Sequence, residues 1–150
     1  MKYPIQTFWG YKPLRLDPKR RVSIPPPWRP VGGAALFLVS SVAHGLPMVQ
    51  VLGEDVWHEK VEMIKNSDAT PAEKYELLGR LAARSHVASL DDQGRLQIPK
   101  NLCEPAGLAA DSTVVRVGRY SYFEIWNAEN FETAQEIERR EFADDAFGSL

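Results

Sequence analysis

One cysteine, Cys103, stands in 150 residues, so no intramolecular disulfide can form, which suits a reducing compartment. Histidine is scarce as well. His44, His58 and His86 fall in three different predicted elements, without the spacing a metal site needs. No glycine-rich phosphate-binding loop occurs, Cys103 sits in what reads as a short helix, and Glu73 fits a helix-capping partner better than a general acid. Together these absences argue against an enzyme, a cofactor or a bound metal. No apolar run reaches the roughly 18 to 20 residues that span a bilayer; the longest candidate, residues 34 to 42, contains two serines and reads as strand. The N-terminus shows no apolar stretch followed by a small-residue cleavage site, so the expected location is the cytoplasm, with no membrane partner.

What the chain has is repetition. Leu16-Asp17-Pro-Lys-Arg-Arg21-Val-Ser-Ile24-Pro25 aligns with Leu90-Asp91-Asp-Gln-Gly-Arg95-Leu-Gln-Ile98-Pro99 at an offset of 74. The same offset sets Val49 and Val51 on Phe123 and Ile125, Trp57 on Phe131 and Glu62 on Glu136. Two copies are too few for a solenoid, so a duplicated half-domain sharing one core is the economical reading. The apolar fraction of 44% is enough for such a core.

Each copy reads as strand, tight loop, strand, because Val22-Ser-Ile24 and Leu96-Gln-Ile98 alternate apolar and polar and end at a proline. Strands are expected over 35–42 and 48–52, and again over 113–117 and 122–126. A helix should follow each hairpin, one from a carboxylate cap at Asp55 to about Lys65, the other from Asn127 to about Phe142. Between the copies, Thr70-Pro71-Ala-Glu73 is a capping box opening a helix to about Arg84, with Tyr75, Leu78, Leu81 and Ala82 on one face. The organisation is thus a first repeat over 8–66, a linking helix over 67–86, a second repeat over 87–142 and a disordered tail over 143–150.

Charge is unevenly spread. Up to residue 30, Lys2, Lys12, Arg15, Lys19, Arg20, Arg21 and Arg29 face Asp17 alone, whereas from residue 127 seven acids face Arg139 and Arg140. Such a molecule can meet a polyanion with one end although its net charge is −2. In each motif loop the aspartate, Asp17 or Asp91, is placed to accept backbone N–H groups and to brace the arginine four residues on. An arginine fork held that way matches the O6 and N7 acceptors of guanine, and Lys19 and Arg20 add charge for phosphates. The second loop, with Asp91 and Asp92 against Arg95, should contribute less affinity. An alternative stays open, in which each Asp and Arg only form an internal ion pair.

The paired Asp-x-x-x-Arg-x-x-Ile-Pro motifs, Phe8-Trp-Gly10 before the first, Ala106-Gly-Leu108 after the second, and Phe123-Glu-Ile-Trp126 together resemble the MraZ family of bacterial transcriptional regulators, within the wider AbrB-like DNA-binding group. The resemblance covers roughly residues 8 to 142. It implies an α+β fold in which two tandem AbrB-like swapped-hairpin halves form one pseudo-symmetric β-barrel with connecting and flanking helices. It implies ring-shaped homo-oligomers, associated with the nucleoid, that bind double-stranded DNA at G-rich repeats upstream of the division and cell-wall gene cluster. By position, Arg21 and Arg95 become the DNA-reading arginines, with Lys19 and Arg20 beside the first, while Asp17, Asp91 and Gly94 shape the loops. The chain departs from the pattern at Arg20, where the family usually has glycine, so a different shape is expected for the first loop. The Pro25-Pro-Pro27 run and Pro30 should shorten or abolish the first short helix. The competing reading is a non-catalytic interaction or scaffold module using Trp28, Trp57, Tyr120, Tyr122 and Trp126; the Lys19-Arg20-Arg21 cluster is what such a module would not need.

Overall fold

The computed structural model describes residues 6–144. Eight strands run in the order β1 (Tyr11–Leu16), β2 (Arg21–Ser23), β3 (Leu36–Ala43), β4 (Leu46–Gly53), β5 (Ser85–Ala88), β6 (Arg95–Gln97), β7 (Ser112–Gly118) and β8 (Phe123–Asn127). The helices are α1 (Glu54–Lys65), α2 (Pro71–Ala83), α3 (Lys100–Cys103) and α4 (Ala128–Asp144), with single 3-10 turns at Pro26–Trp28 and Val31–Gly33. The 74-residue offset carries β1 to β4 onto β5 to β8, the Pro26–Trp28 turn onto α3, and α1 onto α4. Among these elements α2 and the Val31–Gly33 turn have no counterpart.

The duplication explains the pairing. Six strands form one antiparallel sheet in the order β1-β7-β8-β4-β3-β5, and β2 pairs with β6 as a separate two-stranded ribbon. Each half therefore lends its first strand to the other: β1 lies on β7, with Leu14 opposite Val114, and β5 lies on β3, with Ala88 opposite Leu36. The local twofold passes between β4 and β8, where Val49 faces Ile125. The expected closed barrel is not formed among the described residues, because β1 and β5 end the sheet with no ladder between them. The architecture is α+β, with an open sheet capped by a ribbon.

Alternation along the strands sorts the side chains to two faces. On one, Leu38, Val49, Val51, Val114, Phe123 and Ile125 meet Val22, Ile24, Leu96 and Ile98 from the ribbon. The other face carries α4 over Met48, Val115, Val117 and Trp126, through Phe131 and Ala134. Alongside, α1 and Leu81 of α2 cover Val39 and Leu52. β8 is covered on both faces, which is why Phe123-Glu-Ile-Trp126 is buried throughout. The one polar residue there, Glu124, accepts from Trp126 Nε1 and Arg119 Nε, both at 2.8 Å.

Local expectations fare unevenly. Thr70 and Glu73 close the capping box, and Asn127 caps α4 through its Oδ1 to the N–H of Asn130 at 3.0 Å. Asp55 does not cap α1; Gly53 holds the cap position, and Glu54 and Asp55 lie in the first turn, where carboxylates suit the positive end of the helix dipole. Of the predicted α2 face only Leu81 is buried, while Tyr75 is 81% exposed, because α2 packs mainly on α1 and β5 along one narrow edge. The prolines do shorten the first helix, to one turn against the four-residue α3. Of the tail predicted over 143–150, residues 145–150 lie outside the described residues; α4 runs to Asp144.

Candidate nucleic-acid interface

The two motif loops are the same object built twice. In the first, Asp17 Oδ1 accepts from the N–H groups of Lys19 (2.9 Å) and Arg21 (2.8 Å), and Oδ2 from Arg21 Nε (2.6 Å). In the second, Asp91 Oδ1 accepts from Gln93 and Arg95 (both 2.9 Å) and Oδ2 from Arg95 Nε (2.8 Å). The backbone repeats it, with the N–H of Arg20 to the Asp17 carbonyl and the N–H of Gly94 to the Asp91 carbonyl, each at 2.9 Å. Arg20 takes φ +59° and Gly94 φ +76°. The first loop thus keeps the shape of the second despite its arginine, contrary to the expected difference, and bears the roughly 1–2 kcal/mol of a left-handed residue with a Cβ.

These contacts fix both carboxylates in the charged form. For Asp17, partial burial opposes ionisation, but the Arg21 and Lys19 N–H groups and the Arg21 guanidinium outweigh it and hold the carboxyl below its ordinary 3.8. For Asp91 the Arg95 N–H leads, against slight desolvation, joined by the Arg95 guanidinium and the Gln93 N–H. Only Nε of each guanidinium engages its carboxylate, so the ion pair braces the side chain and leaves its outer edge to face a ligand. Arg21 is 25% exposed and Arg95 31%, held but reachable.

The ribbon brings the two loops together. Arg21 pairs with Gln97, Val22 with Leu96 and Ser23 with Arg95. Val22 and Leu96 are fully buried, so Arg21, Ser23, Arg95 and Gln97 share the opposite, outward face. Arg21 and Arg95 are diagonal neighbours there, about 7–8 Å apart. Ile24 donates to the carbonyl of Gly94 and Ile98 to that of Arg20, both at 2.9 Å, so each loop is tied to the other half's strand end. Lys19 stands exposed at the loop tip, and its carbonyl accepts from Gln97 Nε2 at 3.0 Å.

Other cations surround the ribbon that the motif reading passed over. Arg116 on β7 lies 4.9 Å over the Trp28 ring and donates to the Ser23 carbonyl at 2.9 Å; burial lowers its pKa. Arg29 donates through Nε to the Ile24 carbonyl at 3.0 Å, and its guanidinium fills the space a Cβ at Gly94 would need. Neither Arg29 nor Arg116 has an equivalent base at the offset position, so the repeat could not flag them; Gln97 was findable as the strand neighbour of Arg95.

The residues weighed for chemistry stay apart. His44 lies 3.5 Å from Glu138, His58 lies 3.8 Å from Glu54, and His86 is on β5. Among the described residues no group of three or more His, Cys, Asp or Glu could hold a metal, and no helix is long and apolar enough to cross a membrane. Burial pushes the Cys103 thiol up to about 11, although the Arg20 charge pulls the other way, so it is a packed thiol. Trp126 is buried and Trp28, Trp57 and Tyr122 are partly so; of the proposed interface aromatics only Tyr120 is exposed, beside Trp9 and Tyr11.

The model of the family described as "MraZ protein, putative antitoxin-like" matches residues 81–147, the half that keeps Gly94. A protein of Dehalococcoides mccartyi is 29% identical over 134 residues, covering 89% of this chain and 92% of its own. One of Limosilactobacillus fermentum is 27% identical over 138 residues (90% and 91%), and one of Leuconostoc citreum 29% over 141 (94% and 95%). All three carry the name transcriptional regulator MraZ. With the duplicated Asp–Arg loops in place and such relatives aligned along nearly the whole length, the chain is similar to the MraZ family, whose model matches its second half.

Proposed function

We propose that this protein is a sequence-specific DNA-binding transcriptional regulator that presents the outward face of the β2–β6 ribbon to a major groove. The observation that carries this is the cluster Arg21, Ser23, Arg95 and Gln97 on one two-stranded ribbon, with both arginines braced by carboxylates. A major groove admits a two-stranded ribbon, arginine suits guanine and glutamine suits adenine. Lys19 at the tip, with Arg20 behind it, supplies charge for the phosphates. The fold reading that goes with this is a tandem AbrB-like swapped hairpin, supported by the exchange of β1 and β5 between halves. The relatives' names favour a role in transcription; our reading gives it no catalytic step and no cofactor, and G-rich repeats upstream of the division and cell-wall gene cluster are the targets we test first. Such a protein works in the cytoplasm on the nucleoid.

One ribbon specifies little sequence, so we further propose a ring-shaped homo-oligomer that multiplies contacts on spaced repeats. Exposed apolar side chains on different parts of the surface favour it: Trp9, Tyr11 and Tyr120 lie at and beside β1, Met63 on α1 and Tyr75 on α2. Unlike surfaces joined head to tail make a ring where the rotation between copies closes. The test is a gel shift with DNA from upstream of the protein's own gene against mixed-sequence DNA, across a salt series, with light scattering in parallel. Affinity falling with a slope of about −0.9 per phosphate contact, and Lys19→Ala flattening it, is the expected result. Salt-independent binding, or no preference for the upstream DNA, refutes it; a monomer at micromolar concentration refutes the ring.

A further inference from the structure

The two halves solve one packing problem in opposite ways. In the second loop the left-handed residue is Gly94, and the guanidinium of Arg29, reaching over from the first half, occupies the space its side chain would take. The offset of 74 equates Gly94 with Arg20 and Arg29 with Cys103. In the first loop the left-handed residue is Arg20, which carries a guanidinium of its own, and the residue arriving from the other half is the small, buried Cys103. Arg20 Nε is enclosed without a hydrogen-bond partner, and the Arg20 charge is felt at the Cys103 thiol, so the side chain turns inward toward that position rather than out along the loop. Large over small in one half is small beside large in the other. In the second loop the guanidinium behind the left-handed residue comes from Arg29; in the first, the left-handed residue brings its own, with Nε enclosed.

We propose that Arg29 is a positioning residue for Arg95, that Arg20 plays the same part for Arg21 from within its own loop, and that Cys103 is small because Arg20 takes the seat. This inference rests on the ribbon being the DNA-reading surface. The seated guanidinium backs the residue immediately before the reading arginine, where Ile24 and Ile98 tie the loop to the opposite strand. Held there, each loop keeps its Asp–Arg bracing under the load of a ligand. The asymmetry of loop sequence, three bases in a row against two acids and a base, is then smaller than it looks, since Arg29 restores a second cation behind the second loop.

The test uses the full chain with duplex DNA selected on the wild-type protein from a randomised pool, and mixed-sequence duplex as reference. Arg29→Ala should lower the preference for selected over mixed DNA about tenfold while leaving the salt slope unchanged. Combined with Arg95→Ala it should add less than twofold, because it acts through Arg95. Arg29→Lys, which keeps charge but loses the planar group, should not restore preference. An equal loss on both DNAs with a flattened slope makes Arg29 a phosphate contact and overturns the proposal, as do multiplicative losses with Arg95→Ala. A second arm does not depend on DNA. Cys103→Arg alone puts two guanidiniums in one seat and should lower the melting temperature, whereas Cys103→Arg with Arg20→Gly copies the second half and should regain it. Independent effects of these two changes overturn the proposal. If instead Arg21→Ala and Arg95→Ala leave DNA binding intact while the melting-temperature coupling appears, the ribbon reading fails and the seat survives as packing alone, which equally refutes a positioning role.

Discussion

Replacing Gly94 by alanine tests the loop architecture most directly. The residue sits at φ +76°, a conformation that costs a residue with a Cβ roughly 1–2 kcal/mol. The added methyl also falls inside the guanidinium of Arg29. That group ends a flexible side chain and can withdraw, but in doing so it gives up the bond from Nε to the Ile24 carbonyl, worth about 1 kcal/mol net. The expected cost is therefore about 2–3 kcal/mol, a fall in Tm of roughly 5–10 °C for a chain of this size. Urea denaturation followed by tryptophan fluorescence measures it. Arg29→Ala alone should cost about 1 kcal/mol by losing the same bond, and since the double variant loses it only once, the pair should fall short of additivity by about 1 kcal/mol. A cost for Gly94→Ala below about 0.5 kcal/mol, or strict additivity with Arg29→Ala, would refute the seating of Arg29 on Gly94.

Three further expectations follow from contacts elsewhere. Because the Asp17 and Asp91 carboxyls have pKa values lowered from 3.8 in the folded state, their stabilisation is present above about pH 4 and is lost as pH falls through the folded values. Urea midpoints measured from pH 6 down to 2 should drop at the acid end, and Asp17→Asn with Asp91→Asn should lower the plateau and flatten that drop. A Cβ at Gly118 would stand 2.5 Å from the backbone of Phe8 and Trp9, which does not yield as a side-chain tip does. Gly118→Ala should therefore cost about 2 kcal/mol and expose the segment around Trp9 to limited proteolysis. Cys103, buried with its pKa pushed up to about 11, should react with a thiol reagent at pH 8 only as fast as the protein opens. Labelling at the rate of a free thiol in the native state would contradict its packing.

The repeat made much of this legible. Given the offset, strand, loop and helix positions in one half follow from the other, and the Asp–Arg spacing marks the two loops whose bonding matches. The exchange of first strands was not legible from pattern alone. Tyr11–Leu16 alternates in a way that suits β3 as well as β7, and only packing of both halves at once chooses. The barrel expectation failed on the same ground, since closure depends on how β1 and β5 meet in space. Tyr75 shows the limit of periodicity, because a helix with one narrow contact buries one residue of an apolar stripe, not four. The seating of Arg29 on Gly94 is not legible in the sequence, because the two are 65 positions apart and Gly94 bears no side chain to advertise the contact.

The strand exchange reaches back to synthesis. A ribosome delivers the first 80 or so residues with β1 and β2 lacking the strands they belong to, β7 and β6, which are still to be translated. At about 5–20 residues per second the nascent first half waits several seconds with two open edges. Its early partners are the hairpin β3–β4 and helices α1 and α2, whose ladder partners still to come are β5 and β8. Two neighbouring nascent chains carry interchangeable halves, because every surface that receives β1 exists in both. Helix α2, the one α-helix without a twin, lies just ahead of β5 and links the two copies within one chain. Shortening or loosening that segment is the change that would turn a self-contained fold into strands traded between molecules.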